Sequence, residues 1–264
     1  MAFFGMNRAK VKFKFFLEIK KFTQAAAQFI CKSVEQVTRV QSYFSWVLSG
    51  GQTPNAVYAA LSQSPFRERM PWDKIHVFWG DERFVAPHHS ESNFGQAENQ
   101  LFSKVPIPPQ NLHPIKTSYR NVIESALKYE QNLRRFFNEN QYPSENEGSD
   151  PSSSILQFDL LMLGLGADGH IASLFPLERG LSEKERWVID TQAPASYAIR
   201  QRISMTFPLI EKAREILFLV QYRGKEAMLD RIFKGQPNDQ KGDLPIFKLN
   251  PAGKVTWMVL GRDS

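Results

Sequence analysis

Three short stretches combine glycines with side chains that can bind anions or transfer protons. SGGQTP begins at Ser49, GDERFV begins at Gly80 and GLGADGHIASLFP begins at Gly164. Each stretch follows an apolar run of strand length, such as FDLLML before Gly164. Together they suggest a site that holds a phosphate beside an acid–base group.

The third stretch contains the strongest catalytic candidate, His170. Its glycines allow backbone N–H groups to line a small concavity, and an imidazole exchanges protons near neutral pH, so His170 is suited to general acid–base catalysis. Asp168 either orients His170 or bonds to the backbone of the turn, and the sequence leaves both roles open. A histidine that only packs is the structural alternative.

The first stretch is typical of a phosphate-binding turn. Gly50 and Gly51 allow a tight turn and a close approach of a ligand to the backbone. Thr53 is a preferred N-cap and Pro54 a preferred first helical residue, so free N–H groups at the helix start would attract an anion. A purely structural strand–turn–helix connection fits the same residues.

The second stretch places two useful charges directly after the strand IHVFW. Asp81 is a candidate for holding a polar substrate, and Arg83 is a candidate for neutralising an anion. A solvated loop with a local salt bridge is the alternative. His88 and His89 follow as expected surface residues, since their spacing completes no metal site; we expect no metal.

Two further cations stand next to later strands. Arg202 precedes ISMT and Lys225 follows a strand that ends at Val220. Either would complement helix N–H groups in a phosphate clamp, although each taken singly is more typical of a solvated surface charge.

Strand and helix patterns alternate along the chain, which indicates an α/β fold with a mainly parallel sheet. Because ligands of such sheets bind beyond the carboxyl ends of the strands, the candidate stretches should meet there. The patterns predict strands at residues 12–19, 43–48, 75–79, 156–163, 203–206, 216–220 and 255–260. They predict helices at residues 22–37, 53–61, 93–102, 121–138, 171–174, 207–213 and 224–234.

The length of the chain allows one large domain or two small ones. The polar residues 142–154 are typical of a flexible surface loop, and a domain linker is the alternative. Because the same α/β alternation occurs on both sides of this segment, we expect a single domain that spans residues 1–264. The net charge of +6 is spread along the chain without a basic stripe or binding motif, which argues against nucleic acid. No apolar run is long enough to span a membrane, and no signal peptide is recognisable. The single cysteine, Cys31, fits a reducing compartment. We therefore expect a cytoplasmic protein.

The stretches together resemble the 6-phosphogluconolactonase family. The similarity includes SGGQTP, HVFWGDERFV from His76, SN at Ser92, NLHPI from Asn111, FDLLMLGLGADGHIASLFP, RISMTFPLI from Arg202 and GKEAML from Gly224, in the order of the family. It covers most of the chain from about residue 20 onward.

This resemblance implies a Rossmann-like three-layer fold shared with sugar-phosphate isomerases and deaminases. It also implies a metal-independent hydrolase without a cofactor, which opens 6-phospho-D-glucono-1,5-lactone in the oxidative pentose phosphate pathway. His170 would be the general base, and the Gly50, Gly51 and Thr53 turn would hold the phosphate with cations assigned to Arg83, Arg202 and Lys225. Its partner would be the phosphosugar lactone, bound by a monomer or small homo-oligomer.

Two other activities remain open. Glucosamine-6-phosphate deaminases have a similar layout, but their histidine motif continues to Asn-Glu-Pro, where this chain has Leu174-Phe175-Pro176. A non-catalytic sugar-phosphate-binding module is the other alternative. The intact Asp168-Gly169-His170 turn and the lack of an appended helix-turn-helix segment favour an enzyme.

Overall fold

The structure is a computed structural model that describes residues 10–140, 157–234 and 244–262. The strands in these ranges are β1 (Val11–Phe16), β2 (Phe44–Leu48), β3 (Ile75–Trp79), β4 (Asp81–Arg83), β5 (Leu112–His113), β6 (Leu160–Leu163), β7 (Val188–Gln192), β8 (Gln201–Met205), β9 (Glu215–Gln221) and β10 (Lys254–Leu260). The helices are α1 (Ile19–Thr38), α2 (Gln52–Leu61), α3 (Phe66–Arg69), α4 (Asn93–Gln100), α5 (Val122–Glu139), α6 (Phe207–Ile210), α7 (Glu226–Lys234) and α8 (Pro245–Lys248).

The main sheet has the strand order β1-β10-β9-β6-β2-β3-β5, and all of its neighbouring strands are parallel. Every residue of β2 and β6 is buried. Their continuous apolar sequences follow from this position, because a central parallel strand is covered on both faces. The α/β fold predicted from the sequence is confirmed.

Helices cover both faces of the sheet, as the alternation in β1 demonstrates. Phe13 and Phe15 both pack edge-on against Phe233 of α7. Phe16 packs against Phe22 of α1, on the other side of the strand. Since successive strand residues point to opposite faces, α1 and α7 lie on opposite sides of β1, which gives three layers.

The strand order reverses beside β2. The chain passes from β2 outward to β3 and β5, and then returns to β6 on the other side of β2. This reversal opens a crevice at the carboxyl ends of β2 and β6, the usual ligand position in such sheets. The turns that follow β9, β6, β2 and β3 therefore stand side by side.

A second sheet, antiparallel and with the order β4-β8-β7, was not predicted. Asp81–Arg83 is a strand of this sheet, and Arg202 lies within β8 instead of preceding a strand. Gly80 joins the two sheets, because its N–H donates to Leu48 O at 3.0 Å and its carbonyl accepts from Met205 N at 2.8 Å. The second sheet thus continues from the carboxyl end of β3 and forms one side of the crevice.

Two local predictions are wrong. The first strand ends at Phe16, and α1 already begins at Ile19, so Leu17 and Ile19 are 66% and 51% exposed. Residues 171–174 form a turn closed by a bridge between Ile171 and Leu174. Ala172 has φ +49°, a left-handed conformation that is incompatible with the predicted helix. The predicted surface loop at 142–154 lies outside the described residues.

The pairing of β3 with β5 brings together two histidines that should make the protein acid-sensitive. His76 Nδ1 lies 3.0 Å from His113 Nε2, and the ring of His113 stacks on Phe78 at 4.5 Å. Burial lowers the pKa of His76, and it lowers the pKa of His113 to about 4. Because the folded state favours the neutral form of these rings, they stabilise it fully above the unfolded-state pKa of about 6.5. This stabilisation is lost as the pH falls toward 4.

Between pH 7 and pH 4, we expect protonation of His113 to lower the free energy of unfolding by up to about 3 kcal/mol. Urea denaturation of the wild type and of His113→Gln at both pH values measures this contribution. Glutamine does not titrate, so the difference between the two proteins isolates the effect of His113. The variant should lose less stability on acidification than the wild type. His88→Gln, at an exposed position, is the control. Equal pH dependence in all three proteins would contradict the assignment.

Candidate active site

A cavity of about 480 Å³ opens at the carboxyl ends of β9, β6, β2 and β3. It brings together segments that are far apart in the sequence. Asp168 lies outside the lining but contacts the ring of His170. The residues predicted from the sequence that line the cavity are Gly50, Gly51, Thr53, Asp81, Arg83, His170, Arg202 and Lys225.

His170 and Asp168 form a hydrogen-bonded pair at the end of β6. His170 Nδ1 lies 2.6 Å from Asp168 Oδ1, and the same oxygen accepts from the backbone N–H of His170 at 3.2 Å. Asp168 therefore contacts both the ring and the turn. Gly166 makes room for the pair, since a Cβ there would lie 2.0 Å from His170 Nδ1.

The charge of Asp168 defines the proton arrangement of the imidazole. Burial alone would raise the pKa of Asp168, but its hydrogen bonds to the ring and to the backbone N–H of His170 hold the pKa below its usual value. A carboxylate only accepts hydrogen bonds, so Nδ1 carries the proton. Nε2 is then left with a lone pair that can accept a proton.

The two glycines after β2 are required for different reasons. Gly51 has φ +107°, which a residue with a side chain rarely adopts. At Gly50 the constraint is space, because a Cβ would lie 1.8 Å from Asn93 Oδ1. The turn is thus shaped by backbone conformation at one position and by close packing at the other.

The start of α2 faces the cavity without a capping side chain. Gly51 occupies the N-cap position and the helix begins at Gln52, so the prediction that Thr53 caps it is wrong. Gln52 and Thr53 both line the cavity. Because the first N–H groups of a helix have no partner within it, this end is suited to an anion.

The start of α4 contrasts with that of α2, because buried side chains occupy it. Ser92 Oγ accepts from Gly95 N at 3.1 Å. Glu82 is 1% exposed and accepts from the N–H groups of Asn93 at 2.7 Å and Phe94 at 2.8 Å. Glu82 also accepts from Ser92 Oγ and Arg83 N. Burial raises the pKa of Glu82 to about 7.

Three cations line the cavity, and their positions differ. Arg83 Nη1 donates to Glu91 O at 2.7 Å and lies 3.3 Å from Glu91 Oε2, while its Nε is buried without a partner among the described residues. Arg202 is 6% exposed and donates from Nε to Ile199 O at 2.9 Å. Within the described ranges, Lys225 Nζ makes no hydrogen bond or ion pair.

Burial lowers the pKa of both Arg202 and Lys225. These two groups are thus partly removed from water and incompletely neutralised by the protein. A bound anion would compensate them. The local salt bridge considered as an alternative for Arg83 is present and joins Arg83 to Glu91.

Asp81 is held by the segment that follows His170. The carboxylate is 7% exposed, and its Oδ2 accepts from Ser173 Oγ at 2.6 Å. Asn93 Nδ2 donates to Asp81 O at 2.9 Å and to Oδ1 at 3.3 Å. Asp81 therefore ties the GDER stretch to the turn after β6.

Three residues that shape the site were not predicted from the sequence. Asn93 belongs to the motif SN, and an N-cap serine before a helix could have pointed to it. Glu82 stands between two other charges, and nothing in that run distinguishes a buried carboxylate from solvated ones. Tyr197 lines the cavity from the connection between β7 and β8, and no local pattern indicated it because the second sheet was not predicted.

Comparison with known proteins identifies the family. A sequence model described as "Glucosamine-6-phosphate isomerases/6-phosphogluconolactonase" matches residues 18–257. The chain belongs to this family.

Three relatives illustrate the similarity, and each of them is named 6-phosphogluconolactonase. A 6-phosphogluconolactonase of Nostoc sp. is 34% identical over 87% of each chain, and one of Synechocystis sp. is 37% identical over 80% of each. The crystal structure of 6-phosphogluconolactonase from Thermotoga maritima superimposes with a TM-score of 0.76 at 29% identity, over 95% of this chain and 100% of that one.

In the described ranges, no helix has the length and hydrophobicity to cross a membrane.

The buried carboxylate of Glu82 yields a prediction on stability. Replacing it by alanine removes the acceptor of three backbone N–H groups and one hydroxyl, of which the N–H of Asn93 and the hydroxyl of Ser92 are buried. We expect Glu82→Ala to lower the free energy of unfolding by about 3 kcal/mol or more. Glu98→Ala, on the helix whose start Glu82 occupies and without such contacts, should change it by less than about 0.5 kcal/mol. Chemical denaturation compares both variants with the wild type, and similar values for the two would contradict the role of Glu82.

Proposed function

We infer that the protein hydrolyses 6-phospho-D-glucono-1,5-lactone to 6-phospho-D-gluconate, the lactonase reaction of the oxidative pentose phosphate pathway. The names of its relatives support this substrate. The observation that carries the proposal is the position of His170 and of the uncapped start of α2 on one cavity. A base and an anion site on the same cavity match a substrate that is an ester at one end and a phosphate at the other.

The phosphate would lie at the start of α2. Gln52 and Thr53 supply the N–H groups of the first turn, and Gly51 keeps the approach to them free of a side chain. Arg202 and Lys225 provide positive charge that no described residue fully neutralises. Arg83, held by Glu91, adds a third cation, and Asp81 would accept a hydrogen bond from a sugar hydroxyl.

His170 would act as the general base of the reaction. Its Nε2 takes a proton from water while the water oxygen forms a bond to C1 of the lactone. Asp168 keeps the opposite nitrogen protonated and stabilises the imidazolium that results. A positioned base of this kind contributes roughly 10²–10⁴-fold to the rate.

The tetrahedral intermediate carries its negative charge on the former carbonyl oxygen. Leu165 and Ala167 of the glycine turn line the cavity, and their N–H groups donate no hydrogen bond to described residues. They are suited to stabilise that oxygen, an effect worth about 10²–10³-fold per donor. The bond from C1 to the ring oxygen then breaks, and His170 returns its proton to the ring oxygen.

The deaminase alternative is less well supported by the residues after His170. Leu174 and Phe175 are 0% and 1% exposed and carry no acid. The paired His170 and Asp168 favour catalysis over a function in binding alone. The single domain, the cytoplasmic location, the monomeric or small oligomeric state and the absence of a nucleic-acid partner remain predictions from the sequence.

Removal of the base tests the reaction. We expect His170→Ala to fold like the wild type and to lower kcat about 10²–10⁴-fold, after subtraction of spontaneous hydrolysis. Coupling to 6-phosphogluconate dehydrogenase measures the rate, and thermal unfolding checks the fold. His88→Ala, which alters an exposed histidine, should retain full activity. A near-normal kcat in His170→Ala would refute the role of this residue.

The phosphate site is tested separately with Lys225→Ala. Because the ammonium group would bind the phosphate equally in ground and transition states, its loss should raise KM about tenfold or more with little change in kcat. With unphosphorylated glucono-1,5-lactone the variant should match the wild type. Lys212→Ala, at an exposed lysine outside the cavity, is the control. An unchanged KM for the phosphorylated lactone would remove Lys225 from the site.

A further inference from the structure

The connection between β7 and β8 carries one aromatic side chain into the cavity. This hairpin is closed by a hydrogen bond from Ala193 N to Arg200 O at 2.8 Å. Its tip is a turn in which Tyr197 N donates to Pro194 O at 3.0 Å. Tyr197 is half-buried between exposed neighbours, so it is ordered by contacts with the cavity wall and not by the hairpin alone.

The ring of Tyr197 contacts both the proposed base and a proposed phosphate ligand. Its centroid lies 6.0 Å from that of His170 in an edge-to-face arrangement at 80°. The guanidinium carbon of Arg202 lies 5.5 Å from the same centroid. Phe175 completes the cluster, at 5.3 Å from Tyr197 and 4.6 Å from His170.

These contacts supply a constraint that the Asp168 hydrogen bond does not. The hydrogen bond at Nδ1 restrains one atom of the imidazole, and it tolerates small changes in the tilt of the ring because hydrogen-bond angles vary. Phe175 and Tyr197 pack against the imidazole at different angles, 39° and 80°, as well as against each other, and aromatic rings have preferred relative orientations. The plane of the ring, and hence the direction of Nε2, then depends on both aromatic residues.

Arg202 is constrained in a similar way. Its only hydrogen bond to described residues comes from Nε, so the outer nitrogens are available to a ligand. A cation within about 6 Å of an aromatic ring is attracted to its face. Tyr197 therefore holds the guanidinium at the cavity wall while leaving its donors free.

The hydroxyl of Tyr197 makes no hydrogen bond to described residues. Burial and then the charge of Asp168 raise its pKa, so it stays neutral at physiological pH. The ring, in contrast, makes all three contacts. Substitutions can therefore test the hydroxyl and the ring of Tyr197 separately.

We propose that Tyr197 is a positioning residue, whose ring orients the imidazole of His170 and the guanidinium of Arg202 toward one substrate. The proposal rests on the lactonase function proposed above. It links the catalytic and phosphate-binding halves of the site through one side chain of the second sheet.

Two substitutions at position 197 test this proposal. Tyr197→Phe keeps the ring and should retain kcat and KM within about twofold. Tyr197→Leu removes the ring and should lower kcat about tenfold or more for both the phosphorylated and the unphosphorylated lactone, because the imidazole acts on each. Its KM should rise for the phosphorylated lactone alone. Tyr119→Leu, at a half-exposed tyrosine outside the cavity lining, is the control.

A double-mutant cycle distinguishes positioning from general destabilisation. If Tyr197 acts on kcat through His170, Tyr197→Leu should cause no further loss of kcat in a His170→Ala background. An additive loss would overturn the proposal. Wild-type kinetics in Tyr197→Leu, or equal losses in Tyr197→Phe and Tyr197→Leu, would overturn it as well.

Crystal structures of the two variants test the same claim without turnover. We expect the His170 imidazole and the Arg202 guanidinium to shift in Tyr197→Leu and to keep their positions in Tyr197→Phe. Unmoved side chains in Tyr197→Leu would overturn the positioning role. Lack of turnover by the wild type would instead refute the lactonase function, so the two failures can be told apart.

Discussion

The hydrogen bond between His170 Nδ1 and Asp168 Oδ1 determines which nitrogen of the imidazole keeps a lone pair toward the cavity. It requires the carboxylate and the ring to fold back over the same turn, and only a glycine at position 166 leaves space for that. This turn also requires that the preceding strand, β6, ends at the crevice. β6 does so because it is a short, fully buried central strand whose neighbours fix its register. The position of His170 thus depends on the sheet and not on a flexible loop.

The two helix starts near the crevice differ in whether side chains of the protein accept hydrogen bonds from their N–H groups. At α4 the N–H groups are occupied by Glu82 and Ser92, so that end is neutralised from within the protein. At α2 the equivalent groups have no side-chain cap, and three cations line the same cavity. Uncapped helix N–H groups and cations that are partly removed from water both reduce the stability of the folded state while no anion is bound to them. The phosphate of the proposed substrate would compensate for both at once.

Much of this arrangement could be predicted from local sequence. The apolar runs that form β2, β3, β6 and β9 are recognisable, and the rule that ligands bind at the carboxyl ends of parallel strands is enough to bring the glycine turns to one edge of the sheet. Boundaries were less predictable. The alternation of β1 continues to Leu17 and Ile19, yet the strand ends at Phe16, because the run of alanines and helix formers from Ile19 onward takes the chain into α1.

The parts that were missed depend on contacts between distant segments. β4 and β7 are recognisable as strands only once β8 lies between them, so the antiparallel sheet could not be inferred from periodicity. The charge of Arg202 made it a candidate, but its burial and its direction come from β8. Tyr197 was not a candidate at all, since a tyrosine in a polar connection has no distinguishing pattern. The second sheet therefore adds a wall to the crevice, and the side chains of Tyr197 and Arg202 line the cavity from it. The parallel strands position His170 and the start of α2, and under the proposals above the antiparallel strands would set how both face a common substrate.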